Sequence, residues 1–81
     1  MSATEMDALR ALVLFLADLA EDDLRSSIVG CVRTVASYTA ATEELNGREQ
    51  VDKWRSNAKA RAAYDVERLT KLAALTARLP V

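Results

Sequence analysis

The fold of this chain is decided by residues 51–79, which read VDKWRSNAKARAAYDVERLTKLAALTARL. The stretch contains no glycine or proline, is rich in Ala, Leu, Arg and Lys, and is followed directly by Pro80. It predicts one long helix over about residues 49–79. At 100° per residue, one face of this helix collects Val51, Trp54, Ala58, Ala62, Val66, Leu69, Leu72, Ala73, Thr76 and Leu79. Because this stripe is continuous, the helix needs packing partners along its whole length.

The composition indicates an all-helical protein with a small core. Two glycines and one proline in 81 residues are too few for a sheet protein with frequent turns. So short a chain is commonly supplemented by a metal, by disulfides or by a second subunit. There is no histidine and only one cysteine, Cys31, so we expect no metal site, no cofactor and no intrachain disulfide. Self-association is the remaining supplement. We expect Cys31 in the core, with an intermolecular disulfide as the alternative.

The charge is unevenly distributed along the chain. Residues 1–47 carry three basic and eight acidic side chains, a net −5, whereas residues 48–81 carry eight basic and four acidic ones, a net +4. We expect the basic helix to pack beside the acidic region. The alternative is a basic surface for nucleic acid or for an acidic partner.

The first residues do not resemble an export signal. Glu5 and Asp7 stand where a basic segment would be required, and the unbroken apolar run at residues 11–17 is too short to span a bilayer. We therefore expect a cytoplasmic protein without a membrane segment.

Helix 1 is predicted over about residues 4–20, with Thr4 as its N-cap. Its apolar face collects Met6, Leu9, Val13, Leu16 and Ala20, widened by Leu12, Phe15 and Leu19. Leu14 falls instead within the polar strip of Asp7, Arg10, Asp18 and Glu21. Either Leu14 is a single exposed leucine, or a second subunit covers that side.

Helix 2 is predicted over about residues 23–45, after a short acidic junction at residues 21–23 that implies an antiparallel pairing with helix 1. Its core face collects Leu24, Ile28, Cys31, Val32, Val35 and Tyr38, and the opposite side is small and polar: Ser26, Ser27, Gly30, Thr34 and Ser37. Gly30 indicates either a close helix approach or simple tolerance. The helix either runs through residues 39–42 or stops near Ala40, with Thr42 capping a short extra turn. Asn46 and Gly47 end it.

These elements predict an all-α, up-down-up three-helix bundle or hairpin with a long C-terminal helix, completed as a dimeric helical bundle. Helix 3 would be roughly 45 Å long against about 24 Å for helix 1, so its start would project and leave Trp54 uncovered. A second copy of the chain would cover it. We expect Leu14, Phe15, Trp54 and Asp65 at or near this interface.

One charged residue interrupts the apolar face of helix 3. Asp65 is flanked one turn away by Arg61 and Arg68, and both guanidinium groups can reach its carboxylate. A buried acid needs such partners, which predicts an ion-pair network at a helix or subunit interface. The alternative is an anion-binding, small-ligand or enzymatic site that uses Arg61, Tyr64, Asp65 and Arg68, with Asn57 beside them.

Nucleic-acid binding and catalysis have weaker support in the sequence. Lys53, Arg55, Lys59 and Arg61 point all around helix 3, whereas a phosphate-binding face would collect them on one side. Without histidine there is no Ser-His or Cys-His pair, and no Gly-rich phosphate loop is present, so we name no catalytic residue.

The segment Arg61-Ala62-Ala63-Tyr64-Asp65, followed by Leu69, Leu72 and Leu75, resembles the C-terminal helix of a family of small bacterial helical proteins of unknown function. That pattern has an arginine, then an aromatic residue or histidine, then Asp or Asn, then spaced aliphatics. Tyr64 stands where histidine is common. The resemblance covers about 20 residues and implies a helical architecture without adding an activity.

The sequence as a whole predicts a non-catalytic interaction or regulatory module that self-associates, most simply as a homodimer. The alternatives are the ligand or enzyme site at Asp65 and, third, nucleic-acid association through helix 3.

Overall fold

The protein is a thin helical hairpin. A computed structural model describes residues 2–79, and within that range it contains three helices and no strand: α1 at Ala3–Ser37, α2 at Ala40–Asn46 and α3 at Arg48–Thr76. Tyr38 contacts Trp54 near one end, and Ser27 contacts Asp65 further along, so α1 and α3 run antiparallel. The rod measures 64 × 15 × 14 Å, the thickness of a single helix pair. The predicted all-α class is confirmed.

The predicted junction at residues 21–23 does not exist, because α1 continues through it. Asp22 and Asp23 are good capping residues, but capping requires a helix end, and no glycine or proline interrupts the chain here. Glu21 instead accepts hydrogen bonds from Arg25 one turn later, with the closest nitrogen and oxygen 2.8 Å apart. This i,i+4 pair supports the continuous helix. The hairpin is therefore formed by α1 and α3, and the predicted pairing of two shorter helices is wrong.

The connection between the long helices contains the short helix α2. Thr39 and Thr42 cap its start reciprocally, each side chain accepting from the other's backbone N–H. Of the two alternatives that the sequence left open at residues 39–42, the interruption is correct. It lies at Tyr38 and Thr39, and Thr39 is the N-cap. Gly47, with φ +85°, separates α2 from α3, as expected for the Asn-Gly break.

The two long helices meet along a seam with a repeat of seven residues. On α1 and its C-cap the seam residues are Arg10, Leu14, Ala17, Glu21, Leu24, Ile28, Cys31, Val35 and Tyr38; on α3 and just beyond it they are Val51, Arg55, Ala58, Ala62, Asp65, Leu69, Leu72, Thr76 and Leu79. Alternating steps of three and four residues are the pattern of a two-stranded coiled coil. Large aliphatic residues are a minority of this seam. Leu24 and Val51 are its only buried apolar residues in the described part of the chain.

Trp54 and Leu14, two of the residues expected at a dimer interface, pack partly within a single chain. Because α1 continues to Ser37, Tyr38 lies opposite Trp54 and packs against it with ring centroids 6.0 Å apart. The pairs Tyr38–Trp54 and Ser27–Asp65 place the end of α3 opposite the middle of α1, so roughly the first three turns of α1 extend past α3. Leu14 lies on the seam and lines a groove against Leu69 and Leu72. Both side chains are therefore partly covered within one chain. Phe15, in contrast, is 61% exposed.

Candidate functional site

Asp65 is the one charged residue that is fully buried in the described part of the chain. It lies on the seam side of α3, as its position within the apolar stripe predicts, and its exposed fraction is 0%. Arg61, one turn earlier, donates from Nε to Oδ2 at 3.3 Å. The helix spacing thus produces one of the two ion pairs expected for Asp65.

The second partner of Asp65 is Ser27 of α1, whose hydroxyl donates to the same oxygen, Oδ2. The sequence predicts Ser27 on the side opposite the core face, together with Ser26 and Gly30, and this placement is wrong. It follows the seam residue Leu24 by three positions, so its side chain reaches α3. Only the continuity of α1 and its seven-residue repeat could have revealed this contact from sequence.

Arg68 does not pair with Asp65 among residues 2–79. Its guanidinium carbon lies 5.5 Å from the centre of the Tyr64 ring, and that of Arg61 lies 6.0 Å from the same ring. The exposed Tyr64 ring thus has two cationic neighbours, an arrangement of modest strength at a surface. Asn57 lies two turns before Asp65, about 12 Å along the helix, and is exposed. The predicted ligand set is therefore split, with Asn57 apart from the other four.

The environment of Asp65 favours its ionised form. The hydrogen bond from Ser27 lowers the pKa of Asp65 most; burial opposes this effect, and the charges of Arg61 and Arg68 add to it. Its second oxygen, Oδ1, is buried and has no hydrogen-bond partner in the described range. Within that range no three potential metal-ligating side chains cluster. The arrangement is that of a carboxylate that holds two helices in register.

The connection end of the hairpin is held by Arg55. Its guanidinium donates to Glu43 at 2.7 Å, to Asp52 at 3.0 Å and to the carbonyl of Tyr38 at 3.1 Å. This residue therefore joins α2, α3 and the end of α1. Of the four basic residues considered for nucleic-acid binding, Arg55 and Arg61 are thus engaged by carboxylates, which reduces the positive surface available to phosphates.

Seven of the thirteen exposed large apolar side chains among residues 2–79 lie at the other end of the hairpin, on the first half of α1. We call the area that they form the open-end surface; its large side chains, each 44–61% exposed, are Met6, Leu9, Leu12, Val13, Phe15, Leu16 and Leu19. These seven residues belong to the apolar face predicted for helix 1, and α3 leaves them exposed. Soluble monomers seldom expose so continuous an apolar surface.

The rotation of α1 explains why this face is exposed even where α3 lies alongside it. At 100° per residue, Leu24, Ile28 and Val35 point in nearly one direction, whereas Leu12, Leu16 and Leu19 point roughly 100–160° away from it. Because α1 is one continuous helix, both sets cannot face α3. The second half of α1 determines the seam, and the first half brings Arg10, Leu14 and Glu21 to it instead.

Comparisons with protein-family models, with curated proteins and with solved structures found no match to this chain. Within residues 2–79, no helix combines the length and apolar character needed to cross a bilayer.

Proposed function

We propose that this protein is a non-catalytic, self-associating helical module that forms a homodimer. The observation that carries the proposal is the open-end surface, with seven large apolar side chains that α3 does not cover. Burying their exposed halves would contribute about 5–10 kcal/mol before the entropic cost of association is subtracted. The cytoplasm remains the compartment that the sequence predicts.

The shape of the hairpin supports a second copy as the partner. A rod one helix pair thick buries few side chains, and only Leu24, Val51 and Asp65 are buried in its described part. Small helical chains of this kind commonly complete their core by association. A dimer would place a second layer of helices on the exposed side of α1, which is the architecture of a four-helix bundle.

The test is the mass of the protein in solution, measured by light scattering after size exclusion over a dilution series. We expect twice the 8.9 kDa of one chain at micromolar concentration. Leu16→Glu should raise the dissociation constant by roughly 100-fold or more, because it places a charge within the apolar surface. Ala74→Glu is the matched control: it adds the same charge at the same end of the hairpin, on an exposed position of α3. A wild-type monomer at all concentrations would refute the proposal.

A small-anion site at Arg61, Tyr64 and Arg68 is the second candidate. The observation that favours it is the guanidinium of Arg68, which lies over Tyr64 without a carboxylate partner in the described range. Inorganic phosphate should then raise the melting temperature of the wild type and leave that of Arg68→Gln unchanged. An equal rise in both proteins would exclude Arg68 as a ligand and leave only a general salt effect.

A further inference from the structure

The two long helices leave a groove on each side of their seam, and the seven-residue repeat tells which residues flank it. Side 1 contains Val13, Ala20 and Ser27 of α1 with Arg61, Arg68 and Leu75 of α3. Side 2 contains Asp18, Arg25 and Val32 of α1 with Lys59, Val66 and Ala73 of α3. Side 1 is therefore apolar at the end where α1 begins and charged farther along, whereas side 2 carries a charged residue at each of these levels.

At the open end, where α1 begins and α3 ends, side 1 is a nearly continuous apolar groove of about 310 Å³. Its walls are Val13, Leu16 and Ala20 from α1 and Leu72, Leu75 and Leu79 from the last turns of the chain, with Thr76 between them. At the same level, the groove on side 2 contains Asp18, Glu21 and Arg25. On side 1 only, the open-end surface of α1 therefore adjoins apolar residues of α3 and just beyond it: Leu72, Leu75 and Leu79.

Side 1 becomes polar halfway along the hairpin. Beyond Ala20 and Leu75 it presents the contact of Ser27 and Arg61 with Asp65, followed by the exposed guanidinium of Arg68. A full-length antiparallel pairing would press the leucines of one copy against the arginines of the other. A full-length parallel pairing would bring Arg61 and Arg68 next to their own copies, which costs free energy through like-charge repulsion.

We propose that two copies of this chain associate by their open ends alone, antiparallel and about a two-fold axis near Leu12 and Val13. This inference rests on the proposed self-association and specifies its geometry. Overlap of roughly 20 residues of each α1, about 30 Å, buries the apolar part of side 1 and leaves Arg61 and Arg68 in water. The closed ends, where α2 connects the long helices, point away from each other.

The exposed apolar area fits this arrangement. The half-exposed large side chains of the open-end surface amount to on the order of 600–700 Å² per copy, close to what a stable interface buries on each partner.

Small-angle X-ray scattering on the full chain, at a concentration where light scattering shows a dimer, tests the geometry. We expect a maximum dimension of about 100 Å, because two rods of 64 Å overlap by about 30 Å. A dimer no longer than a single rod would overturn the open-end arrangement while leaving self-association intact. A monomeric mass would overturn self-association and the arrangement with it.

Disulfide cross-linking in a Cys31→Ser background provides a second, independent test of how the two copies are arranged. Leu12→Cys lies near the proposed two-fold axis and should give a covalent dimer on mild oxidation. Val29→Cys, equally on α1 but outside the overlap, should not, because its two copies lie roughly 50 Å apart along the axis. Absence of the cross-link at Leu12→Cys, or efficient cross-linking at Val29→Cys, would contradict the arrangement.

Discussion

The two halves of the hairpin are held together by different forces. From Ser27 to the connection, polar contacts join the elements: the Ser27 and Arg61 bonds to Asp65, and the three bonds of Arg55. Toward the open end, the side-chain hydrogen bonds within residues 2–79 stay inside single helices. Hydrogen bonds and ion pairs specify register but contribute little net stability, whereas apolar burial drives association. The closed half therefore has its register specified within one chain, and the open half, whose large apolar side chains are exposed, is suited to a partner.

The largest effect on the single chain should come from Leu24, the buried leucine at the boundary between the halves. Leu24→Ala removes most of a side chain that is 9% exposed and leaves a cavity in the seam. We expect the free energy of unfolding to fall by about 2–4 kcal/mol in urea titration. Leu45→Ala is the control, because Leu45 is 86% exposed and its loss should change stability by less than about 0.5 kcal/mol. If both substitutions changed the free energy of unfolding equally, the apolar core would not lie in the seam between α1 and α3.

Acid should weaken the closed half through Asp65. Its pKa is lower in the folded chain than the ordinary value of 3.8. The stabilisation that it provides is therefore present above pH 3.8 and is lost as the pH falls toward the lower folded pKa. Fluorescence of Trp54, the single tryptophan, reports this half directly. Asp65→Asn should flatten the dependence of the melting temperature on pH below 5, and the exposed-site control Asp18→Asn should retain it. If both variants behave alike, Asp65 does not control acid stability.

The two glycines offer a matched pair with opposite expected signs. No atom lies within 4 Å of a Cβ added at Gly30, so the structure favours tolerance over close approach, and Gly30→Ala should stabilise α1 by about 0.5–1 kcal/mol. Gly47→Ala should cost about 1 kcal/mol, because φ is +85° in the closed-end connection. Thermal unfolding of both variants and of the wild type measures these two changes in stability. Stabilisation by Gly47→Ala would show that the connection is not held in this conformation.

The smallest effect should come from Ser27→Ala, with the same substitution at the neighbouring Ser26 as its control. Ser27→Ala removes the hydrogen bond that lowers the pKa of Asp65 most, so the pKa of that carboxyl should rise toward its ordinary value in an NMR titration. Ser26→Ala changes the adjacent, exposed hydroxyl and should leave the titration as it is in the wild type. A pKa of Asp65 unchanged by Ser27→Ala would mean that the interhelical hydrogen bond does not form in solution.

Local features of this chain were predictable because they depend on neighbours in sequence. Helical character, the break at Asn46 and Gly47, and the Arg61–Asp65 pair all follow from propensity and from the spacing of one helical turn. The junction at residues 21–23 was predicted wrongly because acidic capping residues carry the same local signal whether or not a helix ends there. Of the proposed site residues, Arg61, Tyr64, Asp65 and Arg68 do lie together, since they share two turns of α3.

The helical character of the chain, its break at Asn46 and Gly47 and the unusually apolar first half of α1 all follow from the amino-acid sequence. The tertiary structure alone decided which side of α1 meets α3. Periodicity specifies angles between residues on one helix, whereas the rotation of that helix depends on its packing partner. Here Leu24, Ile28 and Val35 turn α1 toward α3, and this rotation brings Ser27 to Asp65 and leaves Leu12, Phe15 and Leu16 exposed.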